Sequence, residues 1–267
     1  NLTKKNDLRY GENPHQYAAS YIKTGSPYEG LLNSNKIQGK PLSFNNLVDS
    51  DTAVNCVKMF KSPASVIVKH ANPCGVAEAT SIENAFLFSK ETDPLSAFGG
   101  VVAFNSRIED KLALLIIESF FEVIIAPSIS NSALQIFKSK EKLRILISEE
   151  IFSNHKSDDE LDIKSINGGY LVQNRDYIDK KNIFSNVVTK KTPTQTETED
   201  LKFAWKVSHW IKSNAIVFCK NKRTLGIGAG QMSRVDAVKI AAIKAKETSQ
   251  SLKDFVVASD AFFPFSD

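Results

Sequence analysis

Short apolar runs alternate with amphipathic stretches along most of this chain, and the alternation predicts its elements. Residues 66–68 (VIV), with Ser65 ahead, form a buried strand that runs straight into Lys69 and His70. Asn72-Pro73 and Gly75 then predict a turn. Upstream, Asp49 or Ser50 can cap a helix through Met59 and Phe60. Downstream, Ser81 starts a helix through Phe88, Asp93-Pro94 marks a turn, and 101–104 is a short strand. Residues 109–119 and 131–138 read as helices, 123–126 and 143–147 as strands. Strands and helices alternating at this spacing predict α/β layers around a largely parallel sheet.

The flanks are less regular. Residues 1–46 are rich in turn residues, yet Tyr10, Tyr17, Tyr21, Tyr28 and Phe44 recur, which predicts an extended segment that wraps the rest. The acidic, Ser-rich run 148–165 reads as a surface insertion, and Gly168-Gly169 leads to a short strand at 170–172. TKKTPTQTETED at 189–200 has no large apolar residue and reads as a linker. A helix (199–212), a strand (215–219), a Gly-rich turn, a helix (231–247) and a strand (255–259) then begin a second unit. The expected division is 1–195 and 196–267, the second unit incomplete. Phe262, Phe263 and Phe265 close to the end of the sequence predict a partner or further chain to cover them.

Composition changes this picture little. With 267 residues, 42% of them hydrophobic and 24% charged, the chain can bury a sizeable core. The net charge of +4 is carried by Lys spread along the sequence rather than in a basic stripe, which argues against a nucleic-acid partner. Three cysteines without metal spacing suit a reducing compartment. The polar N-terminus has no secretory h-region, and the most apolar stretch, 112–127, is broken by Glu118, Ser119 and Glu122. A cytoplasmic protein away from the membrane is expected.

Candidate chemistry concentrates at a few places. Two nitrogen side chains, Lys69 and His70, end a buried strand, and open α/β sheets bind ligands outside the carboxyl ends of their strands. Read alone, Lys69 is as well a solvated strand end and His70 a packing residue. Phe98-Gly99-Gly100 marks a bulge, a ligand contact or an ordinary turn. Gly226-Ile227-Gly228-Ala229-Gly230-Gln231 lacks both the dinucleotide and the P-loop spacing, but Arg234 in the following helix can meet a carboxylate. Arg9 suits a phosphate. His70-Ala71-Asn72 and Pro73-Cys74-Gly75-Val76-Ala77 lack the Glu and second Cys of a zinc deaminase, so no metal is expected.

Taken together, LRYGENPHQ (8–16), VIVKHANPCGVA (66–77), DPLSAFGGVVAFN (93–105), EVIIAP (122–127), WKVSHWIKSNAIVF (205–218), GIGAGQMSR (226–234) and SDAFFPF (259–265) resemble the bifunctional AICAR transformylase/IMP cyclohydrolase family, in its transformylase part. The resemblance implies a fragment: the cyclohydrolase domain and the end of the C-terminal half are not in the sequence. It implies transfer of a formyl group from 10-formyltetrahydrofolate to the 5-amino group of AICAR. The implied fold is a duplicated, cytidine-deaminase-like α/β/α unit without zinc, in a homodimer with active sites at the interface. It implies His70 as proton acceptor with Lys69 as its electrostatic partner, and Arg9, Tyr10, Asn46, Gly99, Glu122, Asn214 and Phe262 as AICAR contacts. Arg234, Val235 and Asp267 match folate-binding positions, and a structural potassium ion near Asp260 is a further implication. Glu122 stands where some relatives have Asp, and Ser266 where Arg is expected.

The chemistry fits the residue types. An amine delocalised into an imidazole ring is a weak nucleophile that must lose a proton as the C–N bond forms, and His suits that at neutral pH. A fixed ammonium stabilises the oxyanion built on the formyl carbon. Asn214 can orient the amine or the carboxamide, and Arg9 can hold the phosphate. One geometric objection stands: successive strand residues point to opposite faces.

Overall fold

In this computed structural model the described residues are 1–24, 30–152, 161–176, 178, 183, 186–248 and 252–263. The chain begins with β1 (Leu2–Asp7), β2 (Ala19–Lys23) and β3 (Asn35–Gln38). Then follow α1 (Phe44–Val57), β4 (Ala64–Lys69), β5 (Asn72–Glu78), α2 (Ile82–Thr92), α3 (Pro94–Ala97) and β6 (Gly100–Phe104). Next come α4 (Asp110–Ile117), β7 (Phe121–Ala126), α5 (Asn131–Phe137), β8 (Arg144–Ile147) and α6 (Glu149–Phe152). The last part holds β9 (Leu161–Ile166), β10 (Gly169–Asn174), α7 (Gln195–Ser208), β11 (Ile216–Lys220), β12 (Arg223–Gly228), α8 (Arg234–Glu247) and β13 (Val256–Ser259).

Nine strands form one mixed sheet in the order β13-β11-β12-β5-β4-β6-β7-β8-β3, while β1–β2 and β9–β10 are separate hairpins. The strict two-residue period of the strands sorts the core. Val66, Val68, Val101, Ala103, Val123 and Ile125 face α1 and α7 together with Phe60, Phe203 and Val207. Ile67, Val102, Phe104 and Ile124 face the other way, onto α2, α4 and α5 with Phe86, Leu112 and Phe137. Ile216, Phe218 and Leu225 continue that second face onto Ala237, Ala241 and Ala245 of α8. The result is a three-layer α/β/α arrangement. Among the described residues no helix is long and apolar enough to cross a membrane.

The sheet corrects the expectation of largely parallel pairing. Among the described strands of this sheet only β6–β7 and β7–β8 are parallel; the other six pairings are antiparallel. For two of these the reason is connection length. Two residues join β4 to β5 and two join β11 to β12, and a parallel pair needs a crossover of a dozen or more. The turn after β4 is therefore His70-Ala71, not Asn72–Gly75, which lies inside β5. Likewise Gly226 and Gly228 belong to β12, not to a turn. Cβ atoms there would stand 2.1 Å from the Ala241 carbonyl oxygen and 1.9 Å from that of Ala237, so the missing side chains let α8 lie directly on the strand.

Two helix starts also move. Ser43, not Asp49 or Ser50, caps α1, in a reciprocal box with Asn46. Thr194 caps α7 in the same way with Glu197, so this helix begins inside the stretch read as a linker.

These features recur at one constant offset along the chain: the caps Ser43 and Thr194, the turns at His70 and Asn221, and the helix-packed Gly75 and Gly226. An α–β–β–α unit thus occurs twice. The copies meet antiparallel at β5 and β12, which places their turns at opposite rims of the sheet.

Candidate active site

One rim of the sheet gathers strand ends from both units. In sheet order it carries Asp260 after β13, Asn214 before β11, Gly230 after β12 and Asn72 at the start of β5. It continues through Lys69 ending β4, Gly99 before β6, Glu122 second in β7 and Arg144 starting β8. The rule of carboxyl ends does not hold here. The parallel strands β6, β7 and β8 present their amino ends to this rim, because β4 runs against them.

The alternation objection to Lys69 and His70 disappears in the turn. His70 has φ +50° and Ala71 φ +60°, a left-handed pair in which the alanine is the less favoured residue. Lys69 is the last residue in the pleat and His70 the first outside it, exposed. The turn is held by its surroundings. Asp49 Oδ1 of α1 accepts from the Ala71 amide at 2.6 Å, and Asn72 Nδ2 donates to the His70 carbonyl at 3.0 Å. Burial pushes the Asp49 carboxyl above its ordinary value, and the Ala71 amide and the nearby His70 partly offset this.

Lys69 reaches across to the start of β6. Its ammonium donates to the carbonyls of Phe98 and Gly99, both at 3.0 Å. Gly99 has φ +69°, and a Cβ there would sit 3.2 Å from Lys69 Nζ, so a side chain would crowd the ammonium. Lys69 and His70 line one cavity of about 230 Å³ with Asn72, Cys74, Asp93 and Lys244. Asp93 caps α3 through the Ser96 amide and pairs with Lys244 at 2.9 Å, which ties α8 to this wall. The Cys74 thiol is pushed up to about 12, first by burial and then by Asp93.

On the other side of Lys69 lie the N-terminal segment and the start of α1. The Arg9 amide donates to Leu42 and Tyr10 accepts from the Phe44 amide; the exposed Arg9 guanidinium lies over the Tyr10 ring. Asn46 is buried, and its Oδ1 is engaged by the Ser43 amide. Glu122 Oε2 accepts from Arg144 Nη1, and Arg144 Nε donates to the Pro41 carbonyl at 3.0 Å. Arg144 is a buried cation that the sequence reading missed. Its signal was there: a lone charge inside the apolar run RILI.

Residues 1–244 of the chain match the AICARFT/IMPCHase bienzyme family. The chain belongs to that family. It is thus a member of an enzyme family of purine biosynthesis. In this member the second unit closes the rim through the loop at 209–215. The Lys212 amide donates to Asn72 Oδ1, and Asn214 Nδ2 donates to the carbonyls of Gln231 at 2.7 Å and Met232 at 3.1 Å. The Asn214 carbonyl oxygen remains as its acceptor.

Arg234 opens α8, and its Nη1 donates to Ser259 Oγ at 2.7 Å and to Asp260 Oδ1. Asp260 also accepts from the Ala215 amide and the Ser213 hydroxyl. Burial opposes ionisation there, but the bonds from Ser213 and Arg234 hold the Asp260 carboxyl below the ordinary range. Both of its oxygens are engaged, one of them by a guanidinium. Val235 and Phe262 are exposed at this end, Phe262 at 80%. Asp267 lies outside the described residues.

On this rim Lys69 and His70 share a cavity. Gly99 touches Lys69 directly. Glu122 and Arg144 lie two and three strands along from β4, Asn214 lies three strands the other way, roughly 14 Å off by strand spacing.

Proposed function

We propose that this chain carries the formyl-transferring site of the bienzyme: transfer from 10-formyltetrahydrofolate to the 5-amino group of AICAR. The observation that carries this reading is the exposed His70, on a clamped left-handed turn, beside an anchored ammonium in the same cavity. The AICAR nitrogen attacks the formyl carbon, His70 takes the amine proton, and the bond from that carbon to folate N10 breaks. N10 leaves with a proton, so tetrahydrofolate and formylated AICAR are the products. Two of the three Lys69 protons go to the Phe98 and Gly99 carbonyls; the third serves the oxyanion formed on the formyl group. The Asn214 oxygen accepts from the substrate amine or carboxamide. Arg9 holds the 5′-phosphate, and Tyr10, Asn46, Gly99, Glu122 and Phe262 shape the AICAR side. Arg234, Val235 and Asp267 serve the folate, with Arg234 oriented by Asp260.

The same reading takes the repeated α–β–β–α unit as a duplicated deaminase-like fold without zinc. It takes the protein as a cytoplasmic homodimer whose partner covers the apolar side chains at the rim. Phe98, 65% exposed, packs at a tilt against Phe120 there, and Phe262 lies at the far end.

The test is an assay of formyl transfer, with cyclisation of formylated AICAR measured in parallel. Wild type should produce tetrahydrofolate. His70→Ala should lose on the order of 10²–10⁴-fold in turnover while still binding AICAR. Wild-type turnover in His70→Ala, or cyclisation without any formyl transfer, overturns the reading.

A further inference from the structure

The backbone at His70 needs an external constraint. Two-residue hairpin turns with positive φ at both positions are ordinarily built from Asn, Asp or Gly, because other residues lose energy there. His70-Ala71 contains neither Gly nor an Asx residue, at φ +50° and +60°. Residues held in such conformations persist only when their surroundings over-determine them. The strongest constraint on this turn comes from outside the hairpin: the Asp49 carboxylate on α1, 22 residues earlier, accepts from the Ala71 amide at 2.6 Å.

The second unit supplies an internal comparison. At the equivalent turn Asn221 and Lys222 both have φ +53°, and Asp200 of α7 accepts from their amides at 2.9 and 2.7 Å. Asp200 follows Asp49 along the chain by the same interval as Asn221 follows His70. Lys220 Nζ donates to the Lys253 carbonyl ahead of β13, just as Lys69 donates to the carbonyls ahead of β6. Strand-end Lys, left-handed turn and clamping Asp thus form one recurring device. Only in the first unit does it present a histidine, and only there does it adjoin the cavity.

From this we infer that Asp49 is the positioning residue of His70: its carboxylate fixes the left-handed turn, and through it the place of the imidazole at the cavity. The inference rests on the formyl-transfer reading for what His70 does, but the clamp itself is independent of that reading. It acts by hydrogen-bond geometry, so a neutral acceptor of the same shape should serve, and glycine at position 71 should make it dispensable. Glycine adopts positive φ without loss, whereas alanine does not.

The test uses the full protein and five variants: Asp49→Ala, Asp49→Asn, the double variant Asp49→Ala with Ala71→Gly, Asp200→Ala and His70→Ala. Asp49→Ala should lower kcat about 100-fold with KM for AICAR unchanged, and should speed amide hydrogen exchange at Ala71. Asp49→Asn and the double variant should restore kcat. Asp200→Ala should lower thermal stability and leave kcat as it is. The inference is overturned if Asp49→Ala keeps full kcat while His70→Ala loses it. It is equally overturned if the double variant stays as slow as Asp49→Ala, or if Ala71 exchange does not change. If His70→Ala itself turns over normally, the formyl-transfer reading fails instead, and the exchange data still decide the clamp.

Discussion

Asp49 and Asp200 occupy equivalent places in the two units, and each accepts backbone amides from the left-handed turn that ends the following strand. The two carboxylates mark the pseudo-symmetry of the sheet more sharply than any side chain in the core. They also show where that symmetry is broken, at His70 against Asn221.

Helix α8 and strand β12 are in backbone contact. Gly226→Ala or Gly228→Ala would drive a Cβ into the carbonyl of Ala241 or Ala237, neither of which can rotate away. Each substitution should destabilise by about 1–3 kcal/mol or more, seen as a lower urea midpoint with an unchanged slope. Gly75→Ala should behave alike, since its Cβ would meet the Ser89 carbonyl of α2.

Thr224 joins the two units at their seam. Its hydroxyl oxygen lies 2.9 Å from the Val76 amide and 2.8 Å from the Thr92 hydroxyl, fully buried. Thr224→Val keeps the shape and removes the partner of a buried amide. Chemical denaturation should show a loss of about 1–3 kcal/mol.

Arg144 holds Glu122 toward the rim and the Pro41 carbonyl beneath it. Arg144→Met should release Glu122 and raise KM for AICAR more than it lowers kcat. Arg144→Lys should not rescue it, because a point ammonium cannot bridge the carbonyl and the carboxylate as the planar fork does.

The carboxylates of Asp260 and Asp49 should respond oppositely to pH. Asp260 is held below its ordinary value despite burial, through Ser213 and Arg234. The stability it contributes is therefore present above the unfolded-state pKa and is lost as pH falls through the folded one. Asp49 is raised by burial, so the folded state binds the extra proton. Its contribution falls as pH rises from the ordinary carboxylate value through the raised one. Thermal melts across acidic pH should show the gap between wild type and Asp260→Asn closing as pH falls. For Asp49→Asn, the variant should gain relative to wild type as pH rises through the same window.

Much of the secondary structure was legible locally. The apolar runs around Val66, Val102, Ile124 and Ile145 gave their strands because a buried strand needs apolar residues on both faces. The capping boxes at Ser43 and Thr194 were also written in the sequence, but Asn in place of Glu at the third position of α1 and a Thr-rich surround for α7 obscured them. Pairing direction was not legible, since His70-Ala71 carries no Gly or Asn to announce a two-residue turn.

Sequence by itself determined the α/β class, the strand cores and the likeness to the bienzyme family that singles out Lys69 and His70 as candidates, because these depend on residue types and near neighbours. Tertiary structure alone decided the mixed sheet, the rim that joins amino ends to carboxyl ends, the anchoring of Lys69 by the carbonyls of Phe98 and Gly99, and the grip of Asp49 on Ala71. Each of those contacts joins segments that are distant along the chain. A distant carboxylate also holds the left-handed turn at His70-Ala71, and no local pattern can register a constraint that folding itself creates.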